Sequence, residues 1–325
     1  MTRIGLLVPH FGEFASKETI LDLSVEAEQL GYQSFWVRDH LVWEPHGMEG
    51  SNNTFLDPFI TLASLAAVLT DSVLGTGVII PTRWPLKLAQ NFSSLSFLNN
   101  GNIVAGIGLG ANPLEFAAAG FAADDREQIF IETVEILHKA WNDEVVEYSG
   151  EIFNISDVTI RPKPVEDIPI IYGGSSPAAV RRAVRHTVGW YPGRLPIDTL
   201  KARLEYLEVQ TEKLERRRDT MNIIIQPLVV IGDTTMEAVE RVPIEEVAHS
   251  SEGAKFWKTP ASGGFETIND LRGLVVAGTS DEVLEQLEEI ISLGIDEIIV
   301  DLRLQFDRYP EAMRKFGHEV LPRLK

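Results

Sequence analysis

The chain has 325 residues, 44% hydrophobic and 24% charged, with a formal net charge of −19 from 29 basic and 48 acidic residues. This balance argues against nucleic acid or an anionic membrane as partner, since both need a positive patch, and no apolar run approaches the ~18 residues of a membrane span. With no cysteine, the chain has no disulfide, thiolate metal site or cysteine nucleophile.

Residues 1–9, MTRIGLLVP, read as a strand, with neither a long apolar leader segment nor a small-residue cleavage site. The expectation is a soluble, cytoplasmic protein. Further strand-like runs fall near 34–38, 73–80, 103–107, 168–172, 187–191, 222–231 and 295–302, which with 4–9 makes eight. Each is rich in Val, Ile and Leu, as strands buried on both faces are.

Helices separate these runs and carry their own boundary signals. In 17–30, Ile20, Leu23, Ala27 and Leu30 share one face and Gly31 marks the stop. Asp57-Pro58 is a cap followed by a first-turn proline, opening 58–69. Pro85 opens a helix with Leu88, Phe92 and Leu95 on one stripe, and another runs over about 125–141. Ser176-Pro177 opens the next, Pro196 precedes a long charged one, 281–293 ends at Gly294, and 310–323 closes the chain.

Eight strands, each followed by a helix, are the count of a (β/α)₈ TIM barrel, here one domain over residues 1–325. The rival doubly wound sheet usually has about five or six strands. Two stretches exceed the simple plan: a β-prone excursion at about 143–167 and a long polar insertion at about 232–278. Loops of such length often serve as lids or substrate-binding elements.

In this architecture the chemistry sits at the C-terminal strand ends. Arg38, Asp39 and His40 terminate the second apolar run, so Asp39 and His40 are the first candidates for catalysis. Other strand ends supply His10, the Pro81–Trp84 segment, Gly108 to Asn112, Gly173 to Ser176, Tyr191 and Asp301. Trp43, Trp84 and Tyr191 come from separate loops and suit a flat conjugated ligand. GIGLGAN (106–112) imitates a dinucleotide fingerprint but has Ala111 where the third glycine belongs, and it follows the fourth strand. Its glycines, Gly108 and Gly110, still let a ligand approach the backbone. YGGSSP (172–177) is the better anion site: Gly173, Gly174, Ser175 and Ser176 lead into a helix start. HExxH, GxSxG and P-loop motifs are lacking, the histidines show no metal-ligand spacing beyond the loose pair His40 and His46, and no metal is expected.

Taken together, FWVRDHL, LDPFITLASLAAVLTDSVLGTGVIIPTRWPLKLAQ, VAGIGLGANPLEFAAAGF, RPKPVEDIPIIYGGSSPAAVRRAVRHTVGWYP and GTSDEVLEQLEEIISLGIDEIIVDLR resemble the bacterial-luciferase-like superfamily, in particular its branch using coenzyme F420. These motifs span most of the chain in the family's order; over 192–275 only length and the seventh strand fit. The resemblance implies a (β/α)₈ barrel with the tricyclic ring at its mouth, against a bulge on the third strand. That bulge would hold a non-prolyl cis peptide at Gly77-Val78. The family's Asp-His maps onto Asp39 and His40, with His40 near the reactive edge of the ring, and its phosphate turn maps onto Gly173–Ser176. With Gly77, Val78, Gly108, Gly110 and Asn112, these form the implied cofactor site. His10, Trp43, His46, Trp84 and Tyr191 are expected around the substrate, together with Asn112.

The sequence also departs from the family. Ala111 stands where many relatives carry tryptophan, although Glu115-Phe116 is kept, and Gln90 replaces a common lysine. Relatives acting on sugar phosphates place a carboxylate after the GxGxG turn, where this chain has Ala111 and Asn112, which argues against such a substrate. Three functions follow from the resemblance: an F420-dependent oxidoreductase acting on a small organic substrate, an FMN-dependent monooxygenase served by a partner flavin reductase, and a flavin-binding barrel without turnover. Apolar helices such as 58–69 and 85–98, with the family's habit, imply a homodimer.

Overall fold

The computed structural model describes residues 1–43, 54–249 and 252–324. Their strands, in chain order, are β1 (Arg3–Leu7), β2 (Ser34–Val37), β3 (Val73–Thr76), β4 (Ile103–Gly108), β5 (Val146–Ser149), β6 (Asn154–Val158), β7 (Ile170–Gly173), β8 (Gly189–Gly193), β9 (Asn222–Ile225), β10 (Leu228–Ile231), β11 (Val275–Gly278) and β12 (Glu297–Val300). The helices are α1 (Leu23–Leu30), α2 (Pro58–Ala66), α3 (Pro85–Leu98), α4 (Pro113–Ala118), α5 (Arg126–Asn142), α6 (Pro177–His186), α7 (Ile197–Lys213), α8 (Thr235–Glu240), α9 (Ile244–His249), α10 (Ser280–Ile291) and α11 (Tyr309–Glu319).

Eight of these strands close a parallel barrel in the order β1-β12-β9-β8-β7-β4-β3-β2. This is the (β/α)₈ architecture that the strand count predicts. The barrel strands are buried along most of their length because helices cover the outside and side chains fill the inside. Trp36 and Tyr191 stack inside it at 6.0 Å. Lower in the barrel, the buried Glu297 carboxylate accepts from Ser34 Oγ (2.5 Å), Trp36 Nε1 (2.7 Å) and Arg3 Nη1 (2.9 Å). A charge in this layer persists because it is paired and hydrogen-bonded.

The apolar run 222–231 is not one strand. It divides at Gln226-Pro227 into β9, a barrel strand, and β10, which pairs in parallel with β11 in a separate two-stranded sheet. Pro227 has no N–H to continue the ladder. Beyond it the chain changes partner, with Leu228 N–H donating to Leu274 O. The region 232–278 is consequently more than a polar insertion, since it holds α8, α9 and the buried strand β11. In the excursion at 143–167, β5 and β6 form an antiparallel hairpin. Its turn is clasped by Glu132 of α5, whose carboxylate accepts from the backbone N–H groups of Glu151, Ile152 and Phe153 at 2.7–3.2 Å.

The run 73–80 likewise ends early as a regular strand. After β3 the chain bulges at Gly77-Val78, whose peptide is cis. It rejoins β4 through a bridge between Ile79 and Ile107.

Candidate active site

The bulge fixes what the nearby glycines do. A Cβ on Gly108 would lie 2.7 Å from a Val78 methyl, and one on Gly173 would lie 2.5 Å from the other. Both glycines therefore make room for Val78. Gly110 stands beside Ile80 and Phe116 in the same way. Asn112 caps α4 by accepting from Leu114 N–H at 2.9 Å.

At the C-terminal strand ends a cavity opens between Gly77 of the bulge, Ser175 of the turn after β7, and Tyr191 at the end of β8. Arg38, Arg194 and Arg303 also line it. Tyr191 Oη donates to Gln226 Oε1, and Gln226 Nε2 donates to Asp301 Oδ2 at 2.7 Å. Burial, followed by the charge of Asp301, raises the Tyr191 phenol above its ordinary range, so it serves as a neutral donor. Asp301 is fully buried and carries Arg303, with Arg303 Nε at 2.9 Å from both carboxylate oxygens and Arg194 Nη1 4.0 Å away. Burial opposes its charge, but Arg303 foremost, then Arg194 and Gln226, hold its carboxyl below the usual value.

His40 sits beside this cavity. Its Nδ1 is 3.2 Å from Glu115 Oε1, which also accepts from Leu41 N–H at 3.0 Å. Its Nε2 is 3.3 Å from Arg38 Nη2. A guanidinium only donates and a carboxylate only accepts, so this pair of neighbours assigns the neutral Nδ1–H tautomer. Phe55 lies against the imidazole with ring centroids 4.8 Å apart. Arg38, which lines the cavity, is the link between His40 and the open space.

Asp39 is not a free acid at the mouth. It is only 4% exposed, and its oxygens accept from Arg83 Nη1 (2.5 Å), Arg83 Nη2 (2.8 Å) and Ile80 N–H (3.1 Å). Arg83 Nη2 also reaches Asp57, the N-cap of α2, at 3.3 Å. Burial works against the Arg83 charge, yet the Asp39 carboxylate more than offsets it and raises the guanidinium's pKa. Asp39 thus ties the end of β2 to the segment after the bulge and to α2. His10 is also displaced from its expected place: it is completely buried, and its Nε2 accepts from Arg38 N–H at 2.8 Å. Burial, then the Arg38 charge, lowers its pKa to about 3, so the ring is neutral. Trp84 packs edge-on against Phe153 at 5.4 Å and does not line the cavity, and Trp43 is exposed. His46 lies outside the described residues.

The turn after β7 is held from three sides. Gly174 N–H donates to Tyr191 O (2.9 Å), Trp190 Nε1 donates to Gly174 O (2.8 Å), and Arg203 Nε donates to Ser175 O (3.2 Å). Ser176 caps the ten-residue α6 by accepting from Ala179 N–H at 3.1 Å. Ser175 of this turn lines the cavity, which places the start of α6 at its edge. Arg194 and Gln226 fall outside every stretch that carries the family resemblance, and the strand order brings them to one end of the barrel with Arg38, Arg83 and Arg303.

The class of protein is a closed parallel (β/α)₈ barrel with a cis bulge after its third strand. Residues 4–297 match the luciferase-like monooxygenase family, and the chain belongs to it. It is 27% identical to an F420-dependent glucose-6-phosphate dehydrogenase of Nakamurella multipartita, with 97% of this chain and 96% of that protein aligned. A second such dehydrogenase, from Microbacterium testaceum, is 29% identical over 97% of each chain. Among solved structures, an F420-dependent secondary alcohol dehydrogenase bound to an F420-acetone adduct superposes with a TM-score of 0.82 at 17% identity, covering 100% of this chain and 99% of that one. A monooxygenase from Streptomyces bottropensis gives 0.77 at 22% identity, with 99% of each chain covered. At these identities the structural likeness speaks for the fold. Among the described residues no helix is long and apolar enough to cross a membrane.

Proposed function

We propose that this oxidoreductase is F420-dependent and passes a hydride between the deazaflavin and a small organic substrate. The observation that carries the reading is the single cavity lined by the bulge residue Gly77, by Ser175 of the glycine turn and by Arg38, the neighbour of His40. Relatives named for F420 support the choice of cofactor. When bound, the coenzyme supplies the hydride chemistry.

The chain supplies orientation and proton handling. Gly77 and Val78 form the floor, and the Gly173–Ser176 turn with the α6 start holds the phosphate. Tyr191, kept protonated, presents its hydroxyl beside Gly77, where a Cβ would lie 2.9 Å from Oη. His40 keeps its proton on Nδ1 against Glu115, and Nε2, which accepts from Arg38 here, takes or returns the substrate's proton by exchanging that bond for one to the substrate. Asp39 acts through position by locking the β2 end to Arg83.

The test is a fluorescence titration of the apoprotein with F420 and with FMN, followed by turnover. Saturable F420 binding with weak FMN binding is expected. Tight FMN binding without response to the deazaflavin would reverse the assignment to a monooxygenase fed by a flavin reductase. Binding without turnover of any substrate would leave a binding barrel. We also propose a homodimer, located in the cytoplasm; the dimer is supported by Ile60 of α2, Val68 just beyond it, and Phe97 and Leu98 of α3, which are exposed at 71%, 41%, 65% and 54%. A sedimentation measurement giving a 36.2 kDa monomer at micromolar concentration would remove the dimer.

A further inference from the structure

Beyond Pro227 the chain gives the cavity a wall that a plain barrel lacks. Leu228, Val247, Trp257 and Leu274 line it together with Gly77 and Ser175. Leu228, Val247 and Leu274 are 0%, 1% and 2% exposed, whereas Trp257 keeps 8%, the largest share of the four. An indole presents a broad flat face, and it suits contact with a flat ligand. Trp257 Nε1 has no hydrogen-bond partner among the described residues, so no bond of its own orients the ring. Phe265 packs edge-on against it at 5.3 Å, and its place otherwise follows from its backbone.

That backbone is tied on both sides to one turn of α7. Arg203 Nη2 donates to Phe256 O at 2.7 Å, and Lys258 N–H donates to Thr199 Oγ1 at 2.9 Å. Thr199 and Arg203 are one turn apart and share a helix face. The same guanidinium reaches the glycine turn, with Nε donating to Ser175 O at 3.2 Å. Among the described residues Arg203 pairs with no carboxylate, in a chain that holds 48 acidic residues. Its donors go instead to two carbonyl oxygens, one on the cavity-lining Ser175 and one on the residue before Trp257. The planar fork of a guanidinium holds two such acceptors at a set spacing, which a single ammonium cannot do. Arg203 and Trp257 both fall within 192–275, where the family resemblance supplies only length and one strand.

We propose that Trp257 is a wall of the ligand site and that Arg203 is a positioning residue, holding this wall in register with the glycine turn. The inference rests on the reading of the cavity as the cofactor and substrate site, and it adds the residues that set the site's width. Arg203 is not among the cavity's lining residues, so it acts through Ser175 and Trp257. A ring on the Gly77 bulge then meets an indole whose distance from the turn is fixed by one side chain.

Fluorine NMR of protein labelled with 5-fluorotryptophan tests this, with Trp257→Phe identifying one resonance among those of the six tryptophans. In the apoprotein, Arg203→Met and Thr199→Val should each shift or broaden the Trp257 resonance and leave that of Trp36, inside the barrel, in place. Arg203→Lys, which can keep one of the two bonds, should fall between wild type and Arg203→Met. Melting temperatures check that each variant is folded, and Thr199→Val carries the comparison if Arg203→Met is not. Added F420 should move the Trp257 resonance of the wild type. Arg203→Met should lower F420 affinity roughly tenfold, the order for losing one hydrogen bond from a charged group, and Arg203→Lys should recover part of it. An unchanged Trp257 resonance in both Thr199→Val and folded Arg203→Met overturns the positioning role, as does full F420 affinity in Arg203→Met. F420 binding without any response at Trp257 overturns the wall. If F420 does not bind, the cofactor assignment fails; FMN then takes its place in the titration, and the apoprotein spectra still decide whether Arg203 places Trp257.

Discussion

His40 and Glu115 are 75 positions apart, and Nδ1 of the first lies 3.2 Å from Oε1 of the second. Glu115 is 1% exposed and belongs to α4, whose cap Asn112 starts it at the barrel mouth. The pair sets which imidazole nitrogen carries the proton. On the proposed mechanism, His40→Ala should lower turnover by roughly 10²-fold or more, the order for removing one preorganised catalytic group. Glu115→Gln should lower it by about tenfold and alter the pH profile of kcat, with a melting temperature close to that of the wild type. Wild-type turnover in His40→Ala with unchanged cofactor affinity would defeat the assignment.

Asp39 should behave as a structural ion-pair partner. Asp39→Ala leaves Arg83 partly buried without its main carboxylate, and breaking a buried pair costs on the order of 3 kcal/mol. Adding Arg83→Met should restore part of that loss, since no unpaired charge then remains. Chemical denaturation of the two single variants and the double variant measures the coupling. Additive effects would mean that the pair contributes no stability of its own.

His10 gives a pH dependence with a defined sign. Its pKa is lowered from 6.5 to about 3 in the folded protein, so the unfolded chain binds its proton first as pH falls. The stability tied to the neutral ring is complete above about pH 6.5 and is lost progressively between there and pH 3, by up to roughly 1.4 kcal/mol per pH unit. His10→Gln, which keeps an acceptor for Arg38 N–H, should flatten the acid limb of the stability curve. Denaturant midpoints at pH 7, 5.5 and 4.5 make the comparison, and parallel curves would refute it.

Gly174 allows the anion assignment of the turn to be tested directly. Its φ of +152° and a Cβ position 2.9 Å from the Ala179 methyl make Gly174→Ala unfavourable in the observed geometry. Affinity for F420 should fall by about tenfold, while affinity for the deazaflavin chromophore lacking the phosphate should hold. Equal losses for both ligands would move the phosphate elsewhere.

What the sequence discloses and what it hides follow from the same physics. The barrel strands are legible because burial on both faces favours runs of Val, Ile and Leu, as in Ile298 to Val300. That signal cannot reveal a change of partner, so NIIIQPLVVI reads as one strand although Pro227 sends its second half to β11. Trp84 shows a related limit: a loop aromatic after a strand can face the mouth or, as here, pack outward on Phe153. Asp39 and His40 look alike in sequence, but adjacent residues point apart, and only His40 reaches Glu115 and the Arg38 side chain. Arg303 meets Asp301 through a spacing of two residues, whereas Arg38 joins them only because β12 closes the barrel against β1, a contact between the two ends of the chain.

The clasp of Glu132 on the hairpin turn makes one proton a release catch. Three consecutive amides depend on a single charged carboxylate, whose pKa the Gln128 side-chain amide and then those bonds hold below its ordinary value despite the opposing effect of burial. In hydrogen exchange the amides of Glu151, Ile152 and Phe153 should therefore open together, and Glu132→Gln should speed all three while leaving the barrel amides slow. Phe153 would loosen with them, and with it the edge contacts that seat Trp84 and Phe121. A surface excursion that reads as an add-on thus has its turn latched to α5 by one carboxylate, beside the Tyr148–Glu135 bond at its first strand.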